Sequence, residues 1–180
     1  MFEVLEGQKI RLRKAREDDF QSMLKHVWGD EAVYRWMLYQ PTLTEEAALD
    51  RCRRSMAYQK EHYAYFVALK ETNEAIGLCA IKENEPGHFE ECGICIGTAF
   101  QGKGYATEMT RAVIAFGFDR INLHRIEIDC RTENTASQRV IEKCGLKYEG
   151  VFRDFFWRKD HYEGRQVFSI LKQEWIQSKC

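Results

Sequence analysis

The sequence lacks an excess of charge of either sign. Its 180 residues include 27 lysines and arginines against 28 acidic residues, which gives a formal net charge of -1. A protein dedicated to nucleic-acid binding normally presents a strongly basic surface. The composition therefore argues against direct contact with nucleic acid.

Long apolar runs are also absent. No window approaches the roughly 20 apolar residues that span a bilayer, and the opening MFEVLE lacks the basic and apolar regions of a signal peptide. We therefore expect a cytoplasmic protein with no membrane association. A chain of 180 residues is long enough for one buried core and short for two, so we expect a single domain over residues 1–180.

The cysteines do not indicate a disulfide framework, because there are seven of them, an odd number. Cys92 and Cys95 form a C-x-x-C pair, but they lie in a strand pattern, where residues three apart point to opposite faces. No second C-x-x-C and no spaced histidine pair completes a zinc site. The sequence predicts reduced, buried thiols and no bound metal.

What the sequence does contain is a glycine-rich loop between a strand pattern and an amphipathic helix. Its residues are Gln101, Gly102, Lys103, Gly104, Tyr105 and Ala106. Two glycines allow a positive φ, and the positive end of the helix dipole points at the same place. Backbone N–H groups in such a loop bind phosphate, and the lysine could add charge.

Two nucleotide-binding patterns compete for this loop. The Walker pattern needs a Gly-Lys-Ser/Thr end that the segment does not supply. The dinucleotide pattern fits better, since Gly102-x-Gly104 begins a helix and Asp129 follows at about the distance of a ribose-binding acid. Thr107 stands at its third glycine position, however, and Gly97 to Gln101 separate the loop from the strand. This alternative is disfavoured and stays open.

Hydrophobic periodicity predicts the order β-α-α-β-β-β-α-β-α-β-β. The first helix should start at Asp18 or Asp19, and the second at a capping box made by Thr42 and Glu45. We expect the arginines and lysine of the second helix to be solvated. The remaining expected elements are strands at 65–69, 75–81, 90–96 and 125–130, helices after Gly104 and at 135–144, and a hairpin of 147–157 with 165–175.

Taken together, these segments resemble the GNAT superfamily of acetyl-CoA-dependent N-acetyltransferases over nearly the entire chain. Gln101-x-x-Gly104-x-Ala106 fits the family's pyrophosphate loop, and Glu91-Cys92-Gly93 fits its Glu-x-Gly strand. The later coenzyme segment is matched by Asn134-x-x-Ser137 and by residues 142–150. The chain is most similar to the ribosomal-protein N-terminal acetyltransferases and their small-molecule relatives, whose ends resemble residues 169–175.

The resemblance implies an α+β (mixed α/β) acyl-CoA N-acyltransferase fold, with about seven strands, about four helices and splayed fourth and fifth strands. It implies acetyl-CoA as co-substrate and an amine as acceptor. Relatives often form homodimers, and this possibility stays open. The implied coenzyme-binding residues are Ile94, Cys95 and Ile96 for pantetheine, residues 101–106 for pyrophosphate, and the side chain of Asn134.

The implied chemistry is attack of a neutral amine on the thioester, which needs a base, an oxyanion site and an acid. Glu91 is the expected base, with Asp154 as the alternative, and Gly93 is expected to leave room beside it. Ser137 is the expected proton donor to the leaving sulfur, with Tyr148 as the alternative, although Tyr148, as an aromatic residue in a strand, is expected to lie in the core. An acceptor pocket would be walled by aromatic residues, with a place in the core as the alternative for them: Trp28, Tyr34, Trp36, Tyr39, Phe152, Phe155, Phe156 and Trp157. A different hypothesis is a CoA-binding sensor or interaction module without turnover.

Overall fold

The structure is a computed structural model that describes residues 4–158 and 160–178, with the backbone but not the side chains of 90–92. The described residues form eight strands and six α-helices, where about seven and about four were expected. The strands are β1 (Val4–Glu6), β2 (Ile10–Arg13), β3 (Tyr63–Leu69), β4 (Ala75–Glu85), β5 (His88–Ile96), β6 (Arg125–Arg131), β7 (Lys147–Arg158) and β8 (His161–Leu171). The helices are α1 (Phe20–Met23), α2 (Glu31–Tyr34), α3 (Glu45–Glu61), α4 (Tyr105–Asp119), α5 (Thr135–Lys143) and α6 (Lys172–Gln177).

These elements form two compact units. The first contains the described residues up to 82 together with 92–112, and the second contains 83–91 and the described residues from 113 onward. β4, β5 and α4 each contribute residues to both units. The single domain expected from chain length stays a prediction.

The first unit is organised around antiparallel strands in the order β1-β2-β3-β4. Leu12 lies opposite Val67, and Phe66 lies opposite Leu78. The turn between β3 and β4 is closed by the Leu69 N–H, which donates to the Glu74 carbonyl at 3.0 Å. The predicted hairpin between these two strands is confirmed.

The first predicted helix is present but interrupted. A 3₁₀ turn at Glu17–Asp19 precedes α1, and a π-helical turn follows at Leu24–Trp28. Asp19 does not cap α1, because its carboxylate accepts two hydrogen bonds from the Arg13 guanidinium at 2.8 and 2.7 Å. Both side chains are buried, and a buried carboxylate requires such a charged partner.

The capping box expected at Thr42 and Glu45 is wrong. The cap of α3 is Thr44, whose hydroxyl oxygen accepts from the Ala47 N–H at 3.3 Å. Thr42 is buried instead, and its N–H donates to the Trp28 carbonyl at 3.0 Å. A tertiary contact that the local sequence does not contain thus holds Thr42 outside the helix.

The core of the first unit lies between α1, α3 and the strands. Trp28 packs edge to face on Phe66, with ring centroids 5.9 Å apart. Met23, Val27, Ala48 and Cys52 belong to the same buried cluster. Ala48 and Cys52, four residues apart on α3, therefore face this core from one side of the helix.

The second unit contains a mixed sheet. β5 pairs parallel with β6 over only His88–Glu90, β6 pairs antiparallel with β8, and β8 forms an antiparallel hairpin with β7. The end of α4 packs closely on this sheet, since a Cβ added to Gly117 would lie 2.8 Å from the side chains of Ile126 and Leu123. The parallel component confirms the expected mixed α/β class.

The last strand is shorter than predicted. β8 ends at Leu171, and residues 172–177 form α6 where we expected strand as far as Trp175. The Leu171 N–H donates to Glu174 Oε2 at 2.9 Å, which caps the new helix. No helix in the described ranges is both long and apolar enough to cross a membrane.

β7 is an irregular and exposed strand. Its pairing with β8 shifts register between Phe152 and Phe156, and Asp154 within the shift has φ of +52°. Phe152, Phe155 and Trp157 are about half exposed or more. Tyr148 is 58% exposed as well, so its expected place in the core is wrong.

Candidate active site

The glycine loop adopts the backbone conformation that its sequence predicted. Gly102 and Gly104 have φ of +75° and +87°, a region that residues with a Cβ rarely occupy. A Cβ built on either residue meets no atom within 4 Å. The glycines are therefore required by the backbone angle and not by crowding.

The N–H groups of this loop are available to a ligand. Those of residues 102–106 donate no hydrogen bond to any described part of the chain. The Gly104 carbonyl accepts from the Glu108 N–H at 3.0 Å, which starts α4 directly after the loop. The first N–H groups of a helix have no intrahelical acceptor, and they attract anions. The loop can therefore bind an anionic group such as a phosphate.

The side chains of the loop have separate environments. Gln101 Nε2 donates to the Ile96 carbonyl at 2.9 Å, which ties the loop to the end of β5. Lys103 is exposed, and its Nζ lies 5.5 Å from the centroid of the Phe100 ring. Gln101 thus positions the loop, whereas the lysine charge is free to approach a phosphate from solvent.

β5 carries the expected pantetheine and base positions. Ile94 and Cys95 are half-buried, and Ile96 is buried. The Glu91 side chain lies outside the described residues, so its role as base stays a prediction. A Cβ on Gly93 would lie 3.3 Å from the terminal methyl of Met37, so the room expected beside this glycine is occupied on that side.

Beside β5, the first unit contains an arginine between two aromatic rings that the sequence analysis missed. Arg51 Cζ lies 4.0 Å from the Tyr39 ring centroid and 4.8 Å from that of Trp28. Burial raises the pKa of Tyr39, and the neighbouring Cys95 thiol raises it further. Burial also lowers the pKa of the Arg51 guanidinium.

The expectation that all the basic residues of α3 are solvated is therefore wrong at Arg51. The available signal was its position, since it directly precedes buried Cys52 and follows buried Ala48 by three residues. These positions border the buried face of the helix. Long cationic side chains at such positions extend over apolar surface.

In the second unit, Asn134 and Ser137 form the predicted start of α5. Asn134 Oδ1 accepts from the Ser137 N–H at 3.1 Å, so the N-cap prediction is confirmed. The Asn134 amide NH₂ and the Ser137 hydroxyl make no hydrogen bond within the described ranges. Both residues are half-buried, and both retain donors that a ligand could accept.

The competing site residues are placed differently. Asp154 is exposed at the register shift of β7, and Tyr148 lies edge-on to Phe168 at 5.5 Å. Asp129 accepts from Arg165 Nε at 2.6 Å, so its carboxylate is already paired. This pairing and the antiparallel majority of the second unit's sheet disfavour the dinucleotide-binding alternative.

Metal and disulfide chemistry find no support among the described residues. No cluster of three or more His, Cys, Asp or Glu side chains occurs among them. Cys52, Cys79, Cys95, Cys130 and Cys144 are not joined in disulfides. The side chain of Cys92, the other half of the C-x-x-C pair, lies outside the described residues.

Comparison with known proteins identifies the class to which this fold and loop belong. Residues 9–147 match the family model described as the acetyltransferase (GNAT) domain, which is more than half of the chain. The chain therefore belongs to the GNAT family of acetyltransferases. Its relatives establish it as an acetyl-CoA-dependent N-acetyltransferase.

Two relatives illustrate the range of the family. The uncharacterized N-acetyltransferase p20 of Bacillus licheniformis is 29% identical over 177 residues, 96% of this chain and 98% of that protein. A spermidine N(1)-acetyltransferase of Vibrio cholerae is 28% identical over 112 residues, 62% of this chain and 65% of that protein.

Solved structures confirm the GNAT fold. A GNAT-family acetyltransferase from Bacillus anthracis superimposes with a TM-score of 0.83 at 24% identity, covering 94% of this chain and 99% of that one. RimL, a ribosomal L7/L12 alpha-N-protein acetyltransferase, solved in complex with coenzyme A, gives a TM-score of 0.80 at 20% identity, with coverages of 94% and 98%. A putative ribosomal-protein-serine acetyltransferase from Vibrio cholerae gives a TM-score of 0.78 at 25% identity, with coverages of 93% and 97%, in agreement with the resemblance to ribosomal-protein acetyltransferases noted in the sequence.

Proposed function

We propose that this chain transfers the acetyl group of acetyl-CoA to a primary amine, either a protein N-terminal α-amine or the amine of a small molecule. The observation that carries the proposal is the row of N–H groups at residues 102–106, which have no acceptor in the described chain and lie at the start of α4. An anionic diphosphate supplies the acceptors that these groups lack.

The coenzyme is assigned to three parts of the chain. The N–H groups of residues 102–106 bind the pyrophosphate, with Lys103 adding positive charge and Gln101 holding the loop on β5. Backbone groups of Ile94 to Ile96 bind the pantetheine amides. The free amide NH₂ of Asn134 donates to the coenzyme while its oxygen caps α5.

The proposed chemistry is direct attack of the amine nitrogen on the thioester carbonyl. Glu91 removes a proton from the amine, either directly or through a water molecule. The C–N bond forms, the C–S bond breaks, and Ser137 donates a proton to the departing thiolate. A thiolate with a pKa near 8.5 leaves readily, so this last step needs only modest assistance. Ser137 then regains a proton from solvent, and Glu91 releases the amine proton to solvent.

Amine basicity slightly favours an α-amine as acceptor. A terminal α-amine has a pKa near 7.8, whereas an alkylamine such as that of lysine has one near 10.4, a difference of roughly 3.5 kcal/mol in deprotonation. A single carboxylate base suits the less basic amine. The two kinds of acceptor also correspond to two similar proteins, the L7/L12 alpha-N-protein acetyltransferase and the spermidine acetyltransferase.

Two measurements test the proposal. Saturating acetyl-CoA should raise the melting temperature, because a ligand that binds only the folded state stabilises it. Thiol release is then followed across a panel of peptides and small amines. No thermal shift with millimolar acetyl-CoA would refute coenzyme binding, and a shift with no thiol release from any amine would favour the sensor hypothesis.

The base is tested by Glu91→Gln, which should lower kcat at least about a hundredfold, the usual contribution of a positioned general base. The matched control is Glu90→Gln, the same chemical change at the adjacent strand position. Equal activity of the two variants would remove Glu91 from the mechanism.

A further inference from the structure

Arg51 is a half-buried cation held in a defined orientation. Its guanidinium lies against the rings of Tyr39 and Trp28, at 4.0 and 4.8 Å from their centroids. Its Nη1 donates to Thr42 Oγ1 at 2.9 Å and to the Gln40 carbonyl at 3.5 Å. Stacking on two rings and bonding through one nitrogen leave the guanidinium little freedom to rotate.

No carboxylate neutralises this charge within the described residues. Both hydrogen bonds of Arg51 use Nη1, and both acceptors are uncharged. Nε and Nη2 donate no hydrogen bond within the described residues, and neither atom is fully buried. Both therefore reach solvent. Nε and Nη2 form one edge of the guanidinium fork, which matches the two oxygens of a carboxylate.

Arg51 lines a cavity of about 290 Å³ between α3 and the strands β3 and β4. None of the residues that line it is acidic, and its walls are largely apolar. Arg54, the other cation of the lining, is exposed and already paired with Asp50 at 2.9 Å. Within this cavity, Arg51 is therefore the guanidinium whose charge is left for a ligand.

The cavity adjoins the strand that carries the predicted site residues. Leu78 lines the cavity, and its Cδ1 would lie 3.9 Å from a Cβ on Gly93 of β5. Tyr39, which stacks on Arg51, has Cys95 of the same strand among the neighbours that raise its pKa. A group bound at Arg51 thus lies beside β5, the strand that carries the predicted pantetheine positions Ile94 to Ile96.

We propose that Arg51 binds a carboxylate of the acceptor, so that the preferred substrates are small amines that carry a carboxyl group. This inference rests on the proposed function, because it assigns a substrate class to that acceptor site. The cavity volume is at the lower end of the range for ligand pockets, which suits an amino acid or a short peptide. The planar fork favours two-oxygen recognition of a carboxylate over a point-charge contact.

The experiment compares matched acceptors that differ only in the carboxylate. The first pair is a dipeptide and its C-terminal amide. The second pair consists of two C-terminally amidated peptides, one with aspartate and one with asparagine as the second residue. This pair tests recognition of a side-chain carboxylate, whereas the first pair tests a terminal carboxylate. We expect wild-type kcat/KM to favour the acid of one pair by about tenfold or more, as charge-assisted hydrogen bonds require.

Three variants locate the effect. Arg51→Gln and Arg51→Lys should reduce the acid preference to within about twofold, the lysine keeping the charge but losing the fork. Arg54→Gln changes the paired arginine of the same cavity and should retain the preference. The melting temperature, measured with coenzyme present, identifies any variant that fails to fold. The comparison of acid and uncharged acceptors in the wild-type protein does not depend on any variant.

The outcomes separate this inference from the proposed function. No acid preference in wild type, or the same preference in both Arg51 variants, overturns the carboxylate subsite while acetyl transfer stands. Calorimetry with coenzyme A present measures the same preference without turnover. Suppose that the acid binds more tightly than its uncharged partner in calorimetry, that Arg51→Lys loses this preference, and that the protein acetylates no amine. That result supports the subsite and refutes the proposed transfer.

Discussion

The helices α4 and α5 both follow a β-strand, and they begin in opposite ways. α4 starts after Gly104, which offers no side chain, and the N–H groups of residues 102–106 stay unbonded within the described chain. α5 starts at Asn134, whose side-chain oxygen accepts the Ser137 N–H at 3.1 Å. The N–H groups at the start of α4 remain available to a ligand. At the start of α5, a side-chain oxygen accepts a hydrogen bond from one of the helix's own N–H groups.

The difference shows how stability and binding compete for the same backbone groups. A side-chain cap stabilises a helix by about 1 kcal/mol, because it bonds an otherwise unpaired N–H. A glycine start forgoes this stabilisation and also adopts a positive φ. We infer that the start of α4 is shaped for an anion, whereas the start of α5 serves the fold first.

The largest expected effect comes from adding a Cβ to the glycine loop. Gly104→Ala should lower acetyl-CoA affinity at least tenfold, because the backbone must leave φ of +87° and the N–H groups turn with it. It should also cost about 1–2 kcal/mol of folding free energy. Calorimetry and denaturant unfolding measure the two effects.

The matched control for that variant is Gly145→Ala. Gly145 follows α5 with φ of +86°, and a Cβ there also meets nothing within 4 Å. It should therefore lose similar stability and keep its coenzyme affinity. If both variants lose affinity equally, the glycine loop has no special role in binding.

The next effect concerns the α5 cap. Asn134→Ala should lower stability by about 1 kcal/mol, since the Ser137 N–H loses its acceptor. Asn134→Asp keeps the cap but removes the amide NH₂, so it should be nearly as stable as wild type and bind coenzyme less tightly. Wild-type affinity in the aspartate variant would limit Asn134 to its capping role.

A smaller effect is expected at Ser137. Its backbone N–H takes part in the cap, but its hydroxyl makes no bond within the described chain. Ser137→Ala should therefore leave stability within about 0.5 kcal/mol of wild type. If the hydroxyl protonates the leaving thiolate, kcat falls by roughly threefold to tenfold with KM for acetyl-CoA nearly unchanged, well below a full general-acid effect. Unchanged kcat would shift the donor role to another group.

The smallest effect extends the comparison to α6, whose start is capped by a carboxylate. The pKa of Glu174 is held below its usual value by the Lys147 ammonium and then by the Leu171 N–H. A lowered folded-state pKa adds stability that is present above about pH 4.5 and is lost as pH falls through the folded value. Because Glu174 lies near the surface, the gain should be a few tenths of a kcal/mol.

Glu174→Gln isolates this charge, since glutamine can still accept the Leu171 N–H. The variant should be less stable than wild type at pH 7 and equally stable once the pH has fallen below the folded-state pKa of Glu174, as measured by denaturant unfolding. A stability difference that persists at low pH would assign the effect to the cap instead of the charge.

Local signals account for the features that the sequence analysis predicted correctly. The glycine loop, the β3–β4 hairpin and the Asn134 cap each depend on residues within about five positions of one another. Their backbone angles and hydrogen bonds follow from residue type and short spacing. The order of the segments was then sufficient to indicate the family.

The failed predictions share a different cause. The Thr42 N–H donates to the Trp28 carbonyl, and the Asp19 carboxylate accepts from Arg13. Local sequence patterns do not predict these two hydrogen bonds. Tyr148 was expected in the core because it is an aromatic residue in a strand, yet its side chain is exposed on β7. Burial and long-range pairing decide such positions, and they override propensity.

By itself, the amino-acid sequence determined the family, the coenzyme class and the loop that fits pyrophosphate, because backbone recognition of phosphate needs only a short run of residues. Tertiary structure alone decided that Arg51 leaves the solvated face of α3 and lies between Tyr39 and Trp28, beside a cavity that no acidic residue lines. The physical reason is that the energy of a buried cation depends on every group around it, and these groups come from distant parts of the chain.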